Sequence, residues 1–586
     1  MRDTLEDLVS IGNERSASLL QAQFRALHAA LSQKNSEFPD SPNSQILTVL
    51  MRHGGLYTLL DRDMMTARLV PILSGQSGMT VQSAANFVES LGSAVASFFM
   101  HLKPSTYYVL DSSLISHLSF PGPDSTGKKP RGLTFTPDMP TQPSGLESPS
   151  IPAAFTFIGQ FIDHDLTMNA VDLFNPQTGE VQNTASPLID LDSVYGPRTI
   201  LFNAPAHGSI YNEDGSFKLH KKEGTSAGHF YDLPRHHGTH KAYISDARND
   251  ENQMILQVHL LFMKLHNKLL STVYKDIDDP VERFQKTRVE TIYNWQSMII
   301  DDFLPRTLRD DILEWLLGEI AKKDFGDFKY KPLWDLSTRK YVASLPHEFA
   351  IGFRYGHSQL KPKYLLRSDQ TDGITLFDNS LIADPQGNFQ DLRGTQPLIA
   401  KHVIDWEFFA GGKFLGNLID GKVTSVVFDL PESAIPDDIK FIGNLVQRNL
   451  IRSSQVGLCC GEELAKYYGF EPLKPEQIDP DPNARGLYVA RDSNGNVQIC
   501  DGHDVFQTPL WYYLLKEAEL EGGKTKGSLG RLGSRLVGEV VLGAIAWADD
   551  SVFKNGHKDA TWKSQVPLED PAKVTLLDLA RFVADY

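Results

Sequence analysis

The stretch SDARNDENQMILQVHLLFMKLHNKLL, residues 245–270, constrains the fold more than any other. After a polar entry it becomes a strongly apolar helical pattern, and a helix with so little polar surface must be covered by other elements. Helical periodicity of similar length recurs at 153–168, 281–302, 307–322, 437–452 and 526–547, and the pattern containing this stretch spans 249–273. Strand-like alternation is short and scattered, so the core is predicted to be mainly α, built from long packed helices. The 586 residues exceed what one compact core usually holds, which suggests two units or one large elaborated domain. Residues 1–105 show helical periodicity interrupted by SQKNSEFPDSPNS and carry no recognisable chemistry. Residues 119–152 are dense in Pro, Gly and Ser, which predicts an irregular surface excursion at a boundary.

Charge and cysteine content narrow the function. A net charge of −16 without a basic patch argues against nucleic acid and anionic membrane surfaces as partners. The three cysteines, Cys459, Cys460 and Cys500, form no disulfide framework and fit a reducing compartment. No basic, apolar leader opens the sequence and no run of about eighteen apolar residues could span a bilayer, so the expectation is a cytoplasmic protein, or one exported without a recognisable signal.

Four segments bear groups able to do chemistry. In FIGQFIDHDLTMN, 157–169, a helix turning about 100° per residue sets Gln160 and His164 on one face, with Asp163 to one side and Asp165 to the other. The plainer alternative is a core histidine flanked by solvated acids. Arg248 and Glu251 stand at i and i+3 at the entry to the apolar helix; alternatively, Glu251 is a first-turn acid and Arg248 a surface cation. In EFAIGFRYGHSQLKP, His357 follows Arg354 at helical spacing, and in LVQRNLIRSSQVGL Asn449 and Arg452 share a helix face. RHHGTH, 235–240, is dense in histidine and reads chiefly as a polar loop. The glycine-rich GSLGRLGSRLVGEVVLG lacks dinucleotide-fingerprint spacing and reads as a packed helix.

In this order the segments resemble the haem peroxidase family of the peroxidase–cyclooxygenase superfamily, over roughly residues 150–550. GQFIDHDLT resembles the distal histidine motif, ARNDEN the distal arginine segment, FRYGH the proximal histidine motif, and RNLIRSSQVGL the position of the N-x-x-R-x-R-D-H-G signature. YNWQSMIIDDFLP, 293–305, resembles the helix between arginine and proximal histidine. The resemblance implies a haem peroxidase fold with haem b between long core helices, a catalytic domain over 106–586 and an N-terminal helical extension of unknown role over 1–105. It makes His164 the distal base, Arg248 the stabiliser of developing negative charge, and His357 the iron ligand, with its other ring nitrogen donating to Asn449. Arg354 and Arg452 become partners of the haem propionates, and Gln160 matches a glutamine associated with halide binding. Asp163 and Glu251 occupy the positions that the mammalian members esterify to haem. Asn252 stands where a sulfonium-forming methionine occurs in that family, so no third link is expected.

SPLIDLDSVYGPRT, 186–199, resembles the family's calcium loop. Asp165, Ser186, the Leu188 carbonyl, Asp190 and Asp192 would surround calcium, with Asp192 replacing the family serine; a solvated acidic turn is the alternative. RNLIRSSQVGL lacks the Arg-Asp-His that follows in the signature.

These residues imply an enzyme that reduces hydrogen peroxide and oxidises a small-molecule electron donor: iodide, bromide, thiocyanate or a phenol. The alternative is a fatty-acid dioxygenase of the same superfamily. Those enzymes resemble one another in a tyrosine three residues before the proximal histidine, where Arg354 stands here; Tyr355 is two before. A third role, as a non-enzymatic interaction protein, fits poorly with His164, Arg248 and His357 all present.

Overall fold

Among the described residues, seven long helices carry most of the core. The computed structural model describes residues 147–167, 185–196, 210–224, 228–322 without 237 and 239, 345–431 without 386, 443–478, 508–522, and 526–585 without 549, 555–556 and 559–560, together with 327–330 and several short strands. The helices expected over 1–105 lie outside the described residues apart from the strand Ser97–Phe98. The main helices are α1 (Ala154–Leu166), α2 (Gln253–Thr272), α3 (Pro280–Met298), α4 (Asp310–Lys322), α5 (Leu445–Gln455), α6 (Leu510–Glu521) and α7 (Arg531–Ala546). The architecture is mainly α, as the periodicity predicts; the described strands pair two by two and form no larger sheet.

Boundaries shift where local chemistry overrides periodicity. The pattern from 249 becomes a helix only at Gln253, because Asn252 sits in an extended conformation and its side chain accepts from the Met254 and Ile255 amides. Residues Ala247–Asp250 form a separate 3₁₀ turn, started by Asp246, which accepts from the Arg248 amide. The pattern over 281–302 stays α-helical to Met298, then widens into a π turn at Ile299–Phe303 ahead of Pro305. The loop expected over 119–152 ends in a strand, β1 (Glu147–Pro152), which pairs antiparallel with β2 (Leu415–Asn417) and leads the chain into α1.

An aromatic knot joins α1, α2 and α3. Phe161 stacks on Phe262 at 5.3 Å, and Trp295 meets both edge-on at 5.3 and 4.9 Å. All three side chains are fully buried, which fixes the rotation of α1 about its axis. That rotation decides which way Gln160, Asp163, His164 and Asp165 point.

Candidate functional site

His164 is 5% exposed and is held from behind: its Nδ1 lies 2.8 Å from Asn249 Oδ1. Arg248, one residue earlier in the turn, donates from Nη2 to the His164 and Thr167 carbonyls, and grips the Asp246 carboxylate through Nε and Nη2. Burial opposes both charges, yet each holds the other ionised: Asp246 stays below the usual carboxylate range and Arg248 above the usual guanidinium value. Gln160 bridges the same two elements, donating to Glu251 Oε2 at 3.3 Å and accepting from Asn252 Nδ2 at 3.1 Å. Burial raises the Glu251 carboxyl against the pull of His164 and Arg248.

The turn is pinned from the far side as well. Asp250 takes both terminal nitrogens of Arg235, at 2.7 and 2.9 Å. Behind it, the 394 and 395 amides donate to the Glu251 and Asp250 carbonyls, each at 2.9 Å. The approach is so close that a Cβ on Gly394 would lie 1.6 Å from the Asp250 carbonyl oxygen, so only glycine fits there. Thus every residue from Asp246 to Asn252 that carries a polar side chain has a fixed partner.

His357 lies in a 3₁₀ segment, Phe353–Gln359, with Asn449 Nδ2 2.8 Å from its Nδ1. The pairing of His357 with Asn449 is present, but its polarity differs from the expected donation by His357, because Arg354 Nη1 already donates to Asn449 Oδ1 at 3.1 Å. Burial, with Arg354 and Arg448 nearby, pushes the His357 imidazole down to about 3, which keeps it neutral. Arg452 lies one turn beyond Asn449 on α5 and is buried. Trp511 of α6 packs edge-on against the His357 ring at 6.3 Å. The charge of Asp163 reaches Arg354, so the two histidine-bearing segments share one electrostatic environment. Asp163 Oδ1 is buried without a hydrogen-bond partner, the kind of orphan atom expected where a group has yet to be supplied. A neutral imidazole backed by an amide, with two cations near it, fits the iron and the anionic propionates of haem.

On the other side of α1 the three acids converge. Carboxylate oxygens of Asp165, Asp190 and Asp192 lie within 4.8 Å of one another. Asp165 is fully buried; Oδ2 accepts from the Leu191 amide and Trp295 Nε1, each at 3.1 Å, while Oδ1 has no partner. Ser186 donates from Oγ to Asp190 and from its amide to Asp192, and Leu188 is buried in the same loop. Leu191, with φ of 59°, turns the chain so that Asp190 and Asp192 face the same space. Burial and mutual repulsion push Asp165 and Asp192 well above the usual range; burial raises Asp190 to about 6 even with Arg288 opposing. Several hard oxygens, one of them orphaned, fit calcium.

Asp246, Asn249, His259 and Arg448 are site residues that motif reading overlooks. Asn249 and Asp246 lay inside the quoted stretch, but a helix drawn through 249 hides a turn whose side chains point inward. Of RHHGTH, the described residues contribute Arg235 to the site. His237 and Thr239 lie outside the described residues.

The animal haem peroxidase family model matches residues 171–400. No curated protein matches the chain. Among solved structures, peroxidase A from Dictyostelium discoideum is 17% identical, with 83% of this chain and 93% of that one covered and a TM-score of 0.49. Fatty acid alpha-dioxygenase of Arabidopsis thaliana is 14% identical, with 95% and 92% covered and a TM-score of 0.45. The Oryza sativa fatty acid alpha-dioxygenase is 12% identical, with 84% and 89% covered and a TM-score of 0.45.

Proposed function

Since the chain belongs to the peroxidase–cyclooxygenase superfamily, by its match to the animal haem peroxidase model, we propose that it is a haem-dependent peroxidase. It reduces hydrogen peroxide and oxidises small anions (iodide, bromide, thiocyanate) or phenolic donors. The observation that carries this reading is the junction of His164 and Arg248: a buried imidazole held through Nδ1, with a guanidinium hydrogen-bonded to the histidine's own carbonyl.

Bound haem would supply the redox-active iron at which the O–O bond is cleaved. His357 would hold that iron, with Asn449 behind its ring and Arg354 and Arg452 directed to the propionates; for Asn449 Oδ1 to accept from His357 Nδ1, Arg354 would have to leave that oxygen and the amide turn over. His164 takes the proton from one peroxide oxygen through Nε2 and returns it to the other, which departs as water. Arg248 engages its clamp through Nε and Nη2, leaving Nη1 to face the negative charge that grows on the departing oxygen. The Gln160 amide ties α1 to the turn by donating one Nε2 hydrogen to Glu251 and accepting from Asn252, and its second Nε2 hydrogen is the donor for halide. Calcium would sit among Asp165, Asp190, Asp192, Ser186 and the Leu188 carbonyl, and Asp163 and Glu251 are the acids placed for ester bonds to haem.

A fatty-acid dioxygenase would need a phenol where Arg354 stands. Tyr355 is buried and packs edge-on against Phe353. The deciding experiment gives the haem-loaded protein peroxide with each anion and, separately, linoleate with oxygen. Anion oxidation without oxygen uptake is expected; linoleate-dependent oxygen uptake without anion oxidation would replace this reading with the dioxygenase. His164→Ala should keep haem and slow the reaction with peroxide by about 10²- to 10⁴-fold, as loss of a positioned base does.

A further inference from the structure

We propose that Asn249 and His259 are positioning residues that set the tautomer of His164, keeping its proton on Nδ1 and its lone pair on Nε2. The inference rests on the reading of His164 as the proton acceptor, and its observations lie in one buried chain of three side chains. Asn249 Oδ1 is 2.8 Å from His164 Nδ1, and Asn249 Nδ2 is 2.9 Å from His259 Nδ1. A carbonyl oxygen can only accept, so His164 Nδ1 must carry hydrogen; an NH₂ can only donate, so His259 Nδ1 must be bare. A neutral imidazole has one nitrogen of each kind, and the chain therefore has a direction. Reversing the amide would move the His164 proton to Nε2 and leave no base facing the peroxide.

The surroundings hold the three side chains in place. All three side chains are at most 5% exposed. Asn249 cannot drift, because the turn around it is fixed by Asp246, by Arg235 on Asp250 and by the close approach of Gly394. His259 lies on α2 with its ring edge-on to Phe161 at 6.2 Å. Burial pushes its imidazole down to about 3, so it remains a neutral acceptor at any ordinary pH.

The test uses the full chain loaded with haem and held as the diamagnetic ferrous carbonyl form. Histidine labelled with ¹⁵N reports which ring nitrogen of His164 bears the proton, the signal being assigned by its loss in His164→Gln. Wild type should show Nδ1–H. Asn249→Leu should lose that preference and react with peroxide about tenfold to a hundredfold more slowly, part of what a well-placed base supplies, with haem content unchanged. Asn249→Asp offers His164 the same acceptor, and His259 can switch tautomer to donate to it, so this variant should recover the Nδ1–H form and most of the lost rate. His259→Phe should weaken the preference by releasing the amide, and it serves where Asn249→Leu does not fold. An Nε2–H signal in wild type, or wild-type tautomer and rate in Asn249→Leu, would overturn the proposal. If instead His164→Gln reacts as fast as wild type, the reading of His164 as the base is what fails.

Discussion

Two polar regions flank α1, and they are completed in different ways. The turn at 246–252 satisfies itself: Asp246 with Arg248, Asn249 with two histidines, Asp250 with Arg235, Glu251 and Asn252 with Gln160. The loop at 186–192 brings Asp190 and Asp192 against Asp165, with an orphan oxygen and raised carboxyls. Internal pairing makes the first region rigid before any ligand arrives, as a catalytic wall should be. The second gathers negative charge that a cation or a proton would relieve. Because Asp163, His164 and Asp165 are consecutive, the self-sufficient region is mechanically tied to the dependent one.

Chelation is the strongest way to separate them. Metal analysis should find calcium retained through purification, and its removal should lower stability by about 3 to 4 kcal/mol if the site is held at 100 to 1,000 times its Kd. That corresponds to a fall of several degrees in Tm. The peroxide reaction should fall with it, since releasing Asp165 loosens its neighbour His164, the proposed distal base, and added calcium should restore both. An active protein with no bound metal and no response to chelator would show that the loop is as self-contained as the turn.

How far each region was legible in the sequence follows from the same contrast. Type and spacing on one element are enough to single out Gln160, His164 and Asp165 on α1, Arg354 and His357 on their segment, and Asn449 with Arg452, while the roles proposed for them rest on the family resemblance. The acid loop at 186–192 was singled out through its resemblance to the family's calcium loop, and the structure brings Asp165, Asp190 and Asp192 together. What escaped depends on contacts across long separations. Asn249 meets His164 across 85 positions and, from its 3₁₀ turn, His259 of α2 across 10, and nothing in either residue's neighbours signals that meeting. Gly394 becomes essential only because the 391–396 loop lands on the Asp250 carbonyl. The helix drawn from 249 erred because an apolar period continues through a capping asparagine that stops the hydrogen-bond ladder.

Acid should expose the two regions with opposite sign. His259 is pushed from an ordinary 6.5 to about 3 in the folded state. Above pH 6.5 neither state is protonated and its contribution is fully present. As pH falls from 6.5 toward 3, the unfolded chain gains a proton that the folded one refuses, so stability is lost. Between pH 6.5 and 5 this amounts to about 2 kcal/mol at most, from about 1.4 kcal/mol per unit. The raised carboxyls of the acid loop act the other way, favouring the calcium-free fold as pH falls. Urea unfolding across pH 5 to 7.5 in saturating calcium should show the first effect, and His259→Phe should lower the slope by up to one proton. An unchanged slope would mean that His259 is not held neutral and that the turn's rigidity has another source.

The smallest energetic effect is expected at Asp163 and Glu251, the acids proposed to join the protein to haem. Asp163 and Glu251 flank the distal wall, yet differ: Asp163 keeps an oxygen without a partner, while Glu251 accepts from Gln160. A buried carboxylate in either place is costly as a charge, and an ester removes that charge. Peroxide is the oxidant such a bond to a haem methyl carbon requires. After exposure to peroxide, haem should therefore resist extraction by acidic organic solvent, and the intact mass should include it. Asp163, with its open oxygen, should react first, so brief exposure should give a single link that Asp163→Ala abolishes and Glu251→Ala retains. The double variant should release haem freely while its Tm stays within a degree or two of wild type. Complete extraction from wild type after turnover would return both acids to an electrostatic role, and the distal wall would then be closed on the haem side by charge alone.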